Sequence, residues 1–77
     1  MKPEDLRSKL ERRPFRAFVI ELDNGTRIPI ERADDVLLPR RRPELVFAFT
    51  AQGAVYQFEL GVITTLPRRR KWLRPNA

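Results

Sequence analysis

Cysteine and histidine are both absent from this 77-residue chain, and it holds only three glycines and one residue each of methionine, tryptophan and tyrosine. Without Cys no disulfide can staple the fold, and the usual ligands of a structural metal are missing as well. The same two absences remove the most versatile acid/base and nucleophilic side chains. The remaining carboxylates fall in helix, turn and strand positions that do not converge, so neither an enzyme nor a metal or cofactor is expected. Asp34-Asp35 is the one adjacent acidic pair beyond the helix start. It could coordinate a cation or act as a base, but between a strand and a Pro-Arg loop it reads first as the start of a turn. Long apolar runs are missing too. None approaches the roughly 20 residues that span a bilayer, and the start Met1-Lys2-Pro3-Glu4-Asp5 has no apolar stretch of the signal-peptide kind, so a soluble, cytoplasmic protein is expected.

Acidic charge is scarce in one half only. Residues 1–38 hold eight Lys/Arg against eight Asp/Glu, whereas residues 39–77 hold eight against two, so the whole formal charge of +6 belongs to the second half. The excess sits in two runs fenced by prolines. Arg40-Arg41-Arg42 lies between Pro39 and Pro43, and Arg68-Arg69-Arg70-Lys71-Trp72-Leu73-Arg74 lies between Pro67 and Pro75. A polyanion is the first partner such runs suggest; the plainer alternative is a pair of solvated segments that keep a small protein in solution. A chain of this length buries only about 60% of its unfolded surface, and with no disulfide or metal to help, oligomerisation is the expected substitute.

What is present patterns as one helix and five short strands. Pro3 suits a first helical turn, Glu4 and Asp5 favour its positive end, Lys9, Arg12 and Arg13 favour its negative end, and Leu6 and Leu10 stand one turn apart. The spacing predicts a helix over 3–12 that must lie on something else, because two leucines are too narrow a stripe for a free helix. Phe15 to Asp23 alternates with Phe18, Ile20 and Leu22 on one face, Asn24-Gly25 is a two-residue hairpin signal, and Thr26 to Arg32 returns with Ile28 and Ile30 inward. Pro29 faces out and cannot donate to a ladder, which argues for an edge or a bulge. Val36-Leu37-Leu38 is a short apolar extension. Leu45–Thr50 and Ala54–Leu60 form a second hairpin about Ala51-Gln52-Gly53, and Val62–Leu66 is a last β-branched strand ended by Pro67. The expected fold class is mainly β: a short N-terminal helix followed by a five-stranded, strongly bent, SH3-like small barrel. Its expected interior is Phe18, Ile20, Leu22, Ile28, Ile30, Leu45 or Val46, Phe47, Phe49, Tyr56 and Ile63. Residues 1–67 make the domain and 68–77 a basic tail.

This order of elements resembles the Sm-like fold, and specifically its bacterial RNA-chaperone branch, the Hfq proteins. The similar stretches are Leu10-Glu11-Arg12-Arg13, Ile20-Glu21-Leu22-Asp23-Asn24-Gly25, Ile30-Glu31 with Asp34 or Asp35, and Val55-Tyr56 running to Val62-Ile63-Thr64-Thr65-Leu66-Pro67 with Arg69 behind. Together they touch most of residues 6–69. The segment Arg13-Pro14-Phe15-Arg16-Ala17-Phe18-Val19-Ile20 also resembles a group of short bacterial proteins, and that likeness implies no activity. The Sm-like resemblance implies a homo-oligomeric ring closed by strand addition within 54–66, binding single-stranded RNA with no covalent chemistry. A monomeric barrel whose helix and tail cover the open edge is the alternative.

The resemblance also implies site residues. Where the family builds a uridine pocket from Tyr-Lys-His, this chain has Tyr56-Gln57-Phe58, which replaces the base-contacting Lys and His by an amide and a ring. Tyr56 could stack on a base or belong to the core, and Gln57 could bond a base edge or simply face water. The family's rim patch at the helix end is matched by Arg12, Arg13 and Arg16. Arg40, Arg41, Arg42, Arg68, Arg69, Arg70 and Lys71 would add phosphate contacts, with Trp72 available either for stacking or for docking on protein. A protein-interaction or scaffold subunit whose cations meet an acidic protein is the second functional reading.

Overall fold

The computed structural model describes residues 2–68; residues 1 and 69–77 lie outside it. The helix α1 covers Pro3–Glu11. Lys2 precedes it in extended conformation, and the Asp5 carboxylate accepts a hydrogen bond from the Lys2 N–H at 3.2 Å, which ties down the first turn. Leu6 is fully buried and Leu10 packs against the core, so the two-leucine stripe does what its width requires.

Six strands follow among the described residues, where five were expected: β1 Phe18–Leu22, β2 Arg27–Ile30, β3 Val36–Leu37, β4 Leu45–Phe49, β5 Val55–Glu59 and β6 Ile63–Thr65. They form two antiparallel three-stranded sheets, ordered β2-β1-β6 and β3-β4-β5, rather than one closed barrel. The extra strand has a local cause. Val36-Leu37 pairs with Ala48 and Phe47 as a strand in its own right, and the 3-10 turn Ala33–Asp35 separates it from β2. The Asp35 N–H donates to the Arg32 carbonyl at 3.0 Å, so Asp34-Asp35 does turn the chain, and the turn redirects it from one sheet into the other.

The first hairpin keeps the expected faces. Phe18, Ile20, Leu22, Ile28 and Ile30 are all buried. Because Leu22 N–H donates to Thr26 O at 2.9 Å, the bonded pairs of this ladder fall at every second residue, and the nitrogen of Pro29, opposite Val19, points away from β1 toward the open edge. The connection differs from the two-residue turn expected. Only Gly25 has positive φ, at 90°, and the loop is Asp23-Asn24-Gly25, with Gly25 N–H donating to Leu22 O at 3.0 Å and the Asn24 side chain accepting from Thr26 N–H at 2.9 Å.

The second hairpin reverses one expected face. Val46 and Ala48 are fully buried, while Phe47 is half-exposed and Phe49 is 37% exposed. The reason lies across the ladder. Ala48 stands opposite Tyr56 and Val46 opposite Phe58, so on the inner face small β4 residues make room for the half-buried β5 rings. On the outer face Phe47 and Phe49 stand opposite Gln57 and Val55 instead. A second 3-10 turn, Leu60–Val62, leads into β6, where Ile63 is buried as expected.

Candidate nucleic-acid interface

The end of α1 leaves its cations on one side. Lys9 is in the last turn and Arg12 caps the helix, three residues apart and therefore neighbours on the surface, where the negative end of the helix dipole favours both. The link 12–17 then runs to β1. Phe15 anchors it, with its ring 6.1 Å from that of Phe18 and tilted by 59°, and Arg16, next in the chain, is exposed. The far end of the domain returns to the same place. Val19 N–H donates to Pro67 O at 2.9 Å and Phe18 bridges to Arg68, extending the β1–β6 pairing by three residues and setting Arg68 beside the start of β1.

The result is a hollow of about 20 Å³ lined by Lys9, Arg12, Arg16, Ala17, Phe18 and Arg68. Four of its six lining residues carry positive charge, and they come from three separate segments. The space admits little more than a water molecule, so an anion such as a phosphate would sit at its mouth, held by side-chain tips. Among the described residues the ion pairs are Arg27–Glu21 and Arg42–Glu44, and none of the four cations takes part in either. Two carboxylates stand close by: a shallow neighbouring hollow that shares Lys9 and Arg12 is also lined by Asp5, Ser8, Glu11 and Leu66.

The remaining expected residues divide. Arg13 turns along the backbone, its Nη1 donating to the Arg12 carbonyl at 3.2 Å. Arg40 meets Arg7 in a second hollow of about 140 Å³ with Pro3, Leu38, Pro39 and Pro43. Arg41 is exposed, and Arg42 is engaged by Glu44, its Nε donating to Oε2 at 2.7 Å. The Arg42 hydrogen bond holds the Glu44 carboxyl below its ordinary pKa. Tyr56 and Gln57 lie on opposite faces of β5, the ring half-buried against the core and the amide exposed, and neither lines a basic hollow. Arg69, Arg70, Lys71 and Trp72 lie outside the described residues.

Two cations escaped the sequence reading as site residues, Lys9 and Arg7. The Lys9–Arg12 spacing was legible; what was not is that residue 68 returns to the helix end, which depends on a pairing between residues 50 positions apart. No group of three or more carboxylates able to hold a metal occurs among the described residues, and none of their helices is long and apolar enough to cross a membrane. Comparison with protein-family models, curated proteins and solved structures gives no match to this chain.

Proposed function

We propose that this chain is a non-catalytic nucleic-acid-binding module of the Sm-like kind that holds single-stranded RNA through Lys and Arg contacts to phosphate. One observation carries the reading: Lys9, Arg12, Arg16 and Arg68 converge on one hollow from three segments and form no ion pair among the described residues. Like charges brought together with no ion pair to a described carboxylate raise the local potential, and a phosphate offsets that cost. The element order supports the Sm-like part. A short helix comes first, the turn Ala33–Asp35 carries the chain from one small sheet into the other, and a 3-10 turn precedes the last strand, an order that a bent small barrel shares. Arg40 with Arg7 supplies a second cationic position, and the run 68–71 continues the charge from Arg68. Self-association through the edge within 54–66 multiplies the phosphate contacts per assembly.

The test is a titration of a single-stranded oligoribonucleotide followed by fluorescence anisotropy over a range of salt. Neutralising Z phosphates makes log affinity fall with log salt at a slope of about −0.7Z for single strands. Changing Lys9, Arg12, Arg16 and Arg68 together to Ser is expected to reduce that slope by about 2–3. Absent binding at low salt, or binding that ignores salt, overturns the reading. A second reading, a scaffold subunit whose cations meet an acidic protein, is favoured by the exposed Leu37, Phe49 and Val55 on the outer face of the second sheet; it predicts no RNA affinity.

A further inference from the structure

β5 is the edge of its sheet, and its hydrogen-bonding groups can be assigned. Thr50 N–H donates to Ala54 O at 3.0 Å and Leu60 N–H donates to Glu44 O at 2.8 Å, so the bonded pairs of the β4–β5 ladder fall at 54, 56, 58 and 60. The backbone N–H and C=O groups of Val55, Gln57 and Glu59 therefore point away from β4. All three residues are exposed, Val55 by 62%, and the strand contains neither the Lys nor the Pro that usually guard an edge, its one charge being Glu59 at the end.

We propose that β5 pairs with β5 of a second copy of this chain, antiparallel about a two-fold axis at Gln57, giving a symmetric dimer instead of the head-to-tail ring implied by the resemblance. In this register Gln57 exchanges both backbone bonds with its own mate, and Val55 does so with the partner's Glu59. The intervening residues match as well. Tyr56 falls opposite Phe58 of the partner subunit twice over, in the closer non-bonded positions, and each covers a ring that its own subunit leaves half-exposed. On the outer face the two Gln57 amides meet at the axis, and an amide is both donor and acceptor, so it can bond its own copy.

Charge selects the same place. The chain is +6 overall, yet residues 43–66 contain no Lys or Arg and only Glu44 and Glu59, so two copies can approach here without bringing cations together. The register keeps the two Glu59 carboxylates at opposite ends. The other edges are poorer. β2 carries Pro29, whose nitrogen faces outward without an N–H, and β3 has only two residues. β6 has three residues, its Ile63 N–H is taken by Leu60 O, its pairing with β1 shifts register, and Pro67 has no N–H to give. A strand of five residues is a small interface beside the roughly 1,600 Å² of stable complexes, so the dimer is expected to be weak and its population to depend on protein concentration.

The absence of Cys makes the test clean, because any introduced thiol is alone. In Gln57→Cys the two Cα atoms stand about 5.5 Å apart across the axis, within the reach of a disulfide. In Val55→Cys the like positions are four residues apart along the pair, about 13 Å. Mild oxidation at about 100 µM protein is expected to link Gln57→Cys into a covalent dimer at least tenfold faster than Val55→Cys, while native mass spectrometry of the unmodified chain shows two copies. Gln57→Lys sets two ammonium groups together at the axis and is expected to weaken the dimer about tenfold, with an unchanged circular dichroism spectrum. A monomer, a larger closed ring, or equal cross-linking of the two cysteine variants overturns the proposal.

Discussion

Ala48 and Phe49 are neighbours in β4, and the smaller one carries the core. Ala48 is fully buried opposite Tyr56, so a larger side chain there must push against a ring, whereas Phe49 looks outward beside Val55. Ala48→Leu is therefore expected to lower stability by about 1–3 kcal/mol through over-packing. Phe49→Thr, which keeps strand propensity on an exposed site, is expected to change it by less than about 0.5 kcal/mol. Urea denaturation of both variants checks the pair; the opposite ranking would put the phenylalanines of β4 inside. At this scale legibility followed polarity. In β1 and β2, Glu21, Arg27 and Pro29 mark the outer face, and the inner residues Phe18, Ile20, Ile28 and Ile30 followed at once. In β4, Leu-Val-Phe-Ala-Phe offers no polar residue to break the tie, so ring size pointed to the wrong face. The site residues divided in the same way. Arg12 and Arg16 could be singled out from the charge pattern at the helix end, but Arg68 joins them only because the chain after β6 runs on alongside β1.

Both hairpins close by the same device. In each, a loop of three residues ends on a glycine in the left-handed region, Gly25 at φ 90° and Gly53 at φ 89°, whose N–H donates back to the last strand residue or the one after it, Leu22 O at 3.0 Å and Thr50 O at 2.9 Å. An added Cβ would meet no atom within 4 Å at either position, so any cost of substitution comes from the backbone alone. Gly25→Ala and Gly53→Ala are each expected to cost about 1–2 kcal/mol, and Asn at the same positions to cost less, since Asn enters that region more readily. Thermal melts of the four variants read this directly; equal losses for Ala and Asn would point to a steric rather than a conformational cause. The presence of both turns was plain from Asn24-Gly25 and Ala51-Gln52-Gly53, and the second has the three-residue length expected. The length of the first was not legible, because Asn-Gly serves loops of two and of three residues, and the choice rests on how the flanking strands register. The break between β2 and β3 escaped for a related reason. Asp34-Asp35 announced a turn, but whether Val36-Leu37 then ends one strand or starts another depends on β4 arriving beside it.

For the whole molecule, charge is distributed so that the proposed binding and the proposed assembly fall on different surfaces. The converging cations of the helix end belong to α1, the 12–17 link and residue 68, whereas residues 43–66, which hold β4, β5 and β6, carry no cation at all. In the proposed pairing through β5, two copies of the hollow would belong to one assembly, since none of its lining residues lies in β5. An RNA long enough to touch both then neutralises about twice as many phosphates as one that reaches a single subunit, and the salt slope scales with that number. For a long single strand, Gln57→Lys is expected to bring the slope down toward half of its unmodified value, while for an oligonucleotide confined to one hollow the slope stays the same. The substitution adds positive charge, so a shallower slope cannot be blamed on lost attraction and must come from the lost second subunit. Anisotropy titrations of a short and a long strand with both proteins, at protein concentrations above the dimer dissociation constant, provide the check. An unchanged slope on the long strand would separate binding from assembly, leaving each subunit to hold RNA on its own.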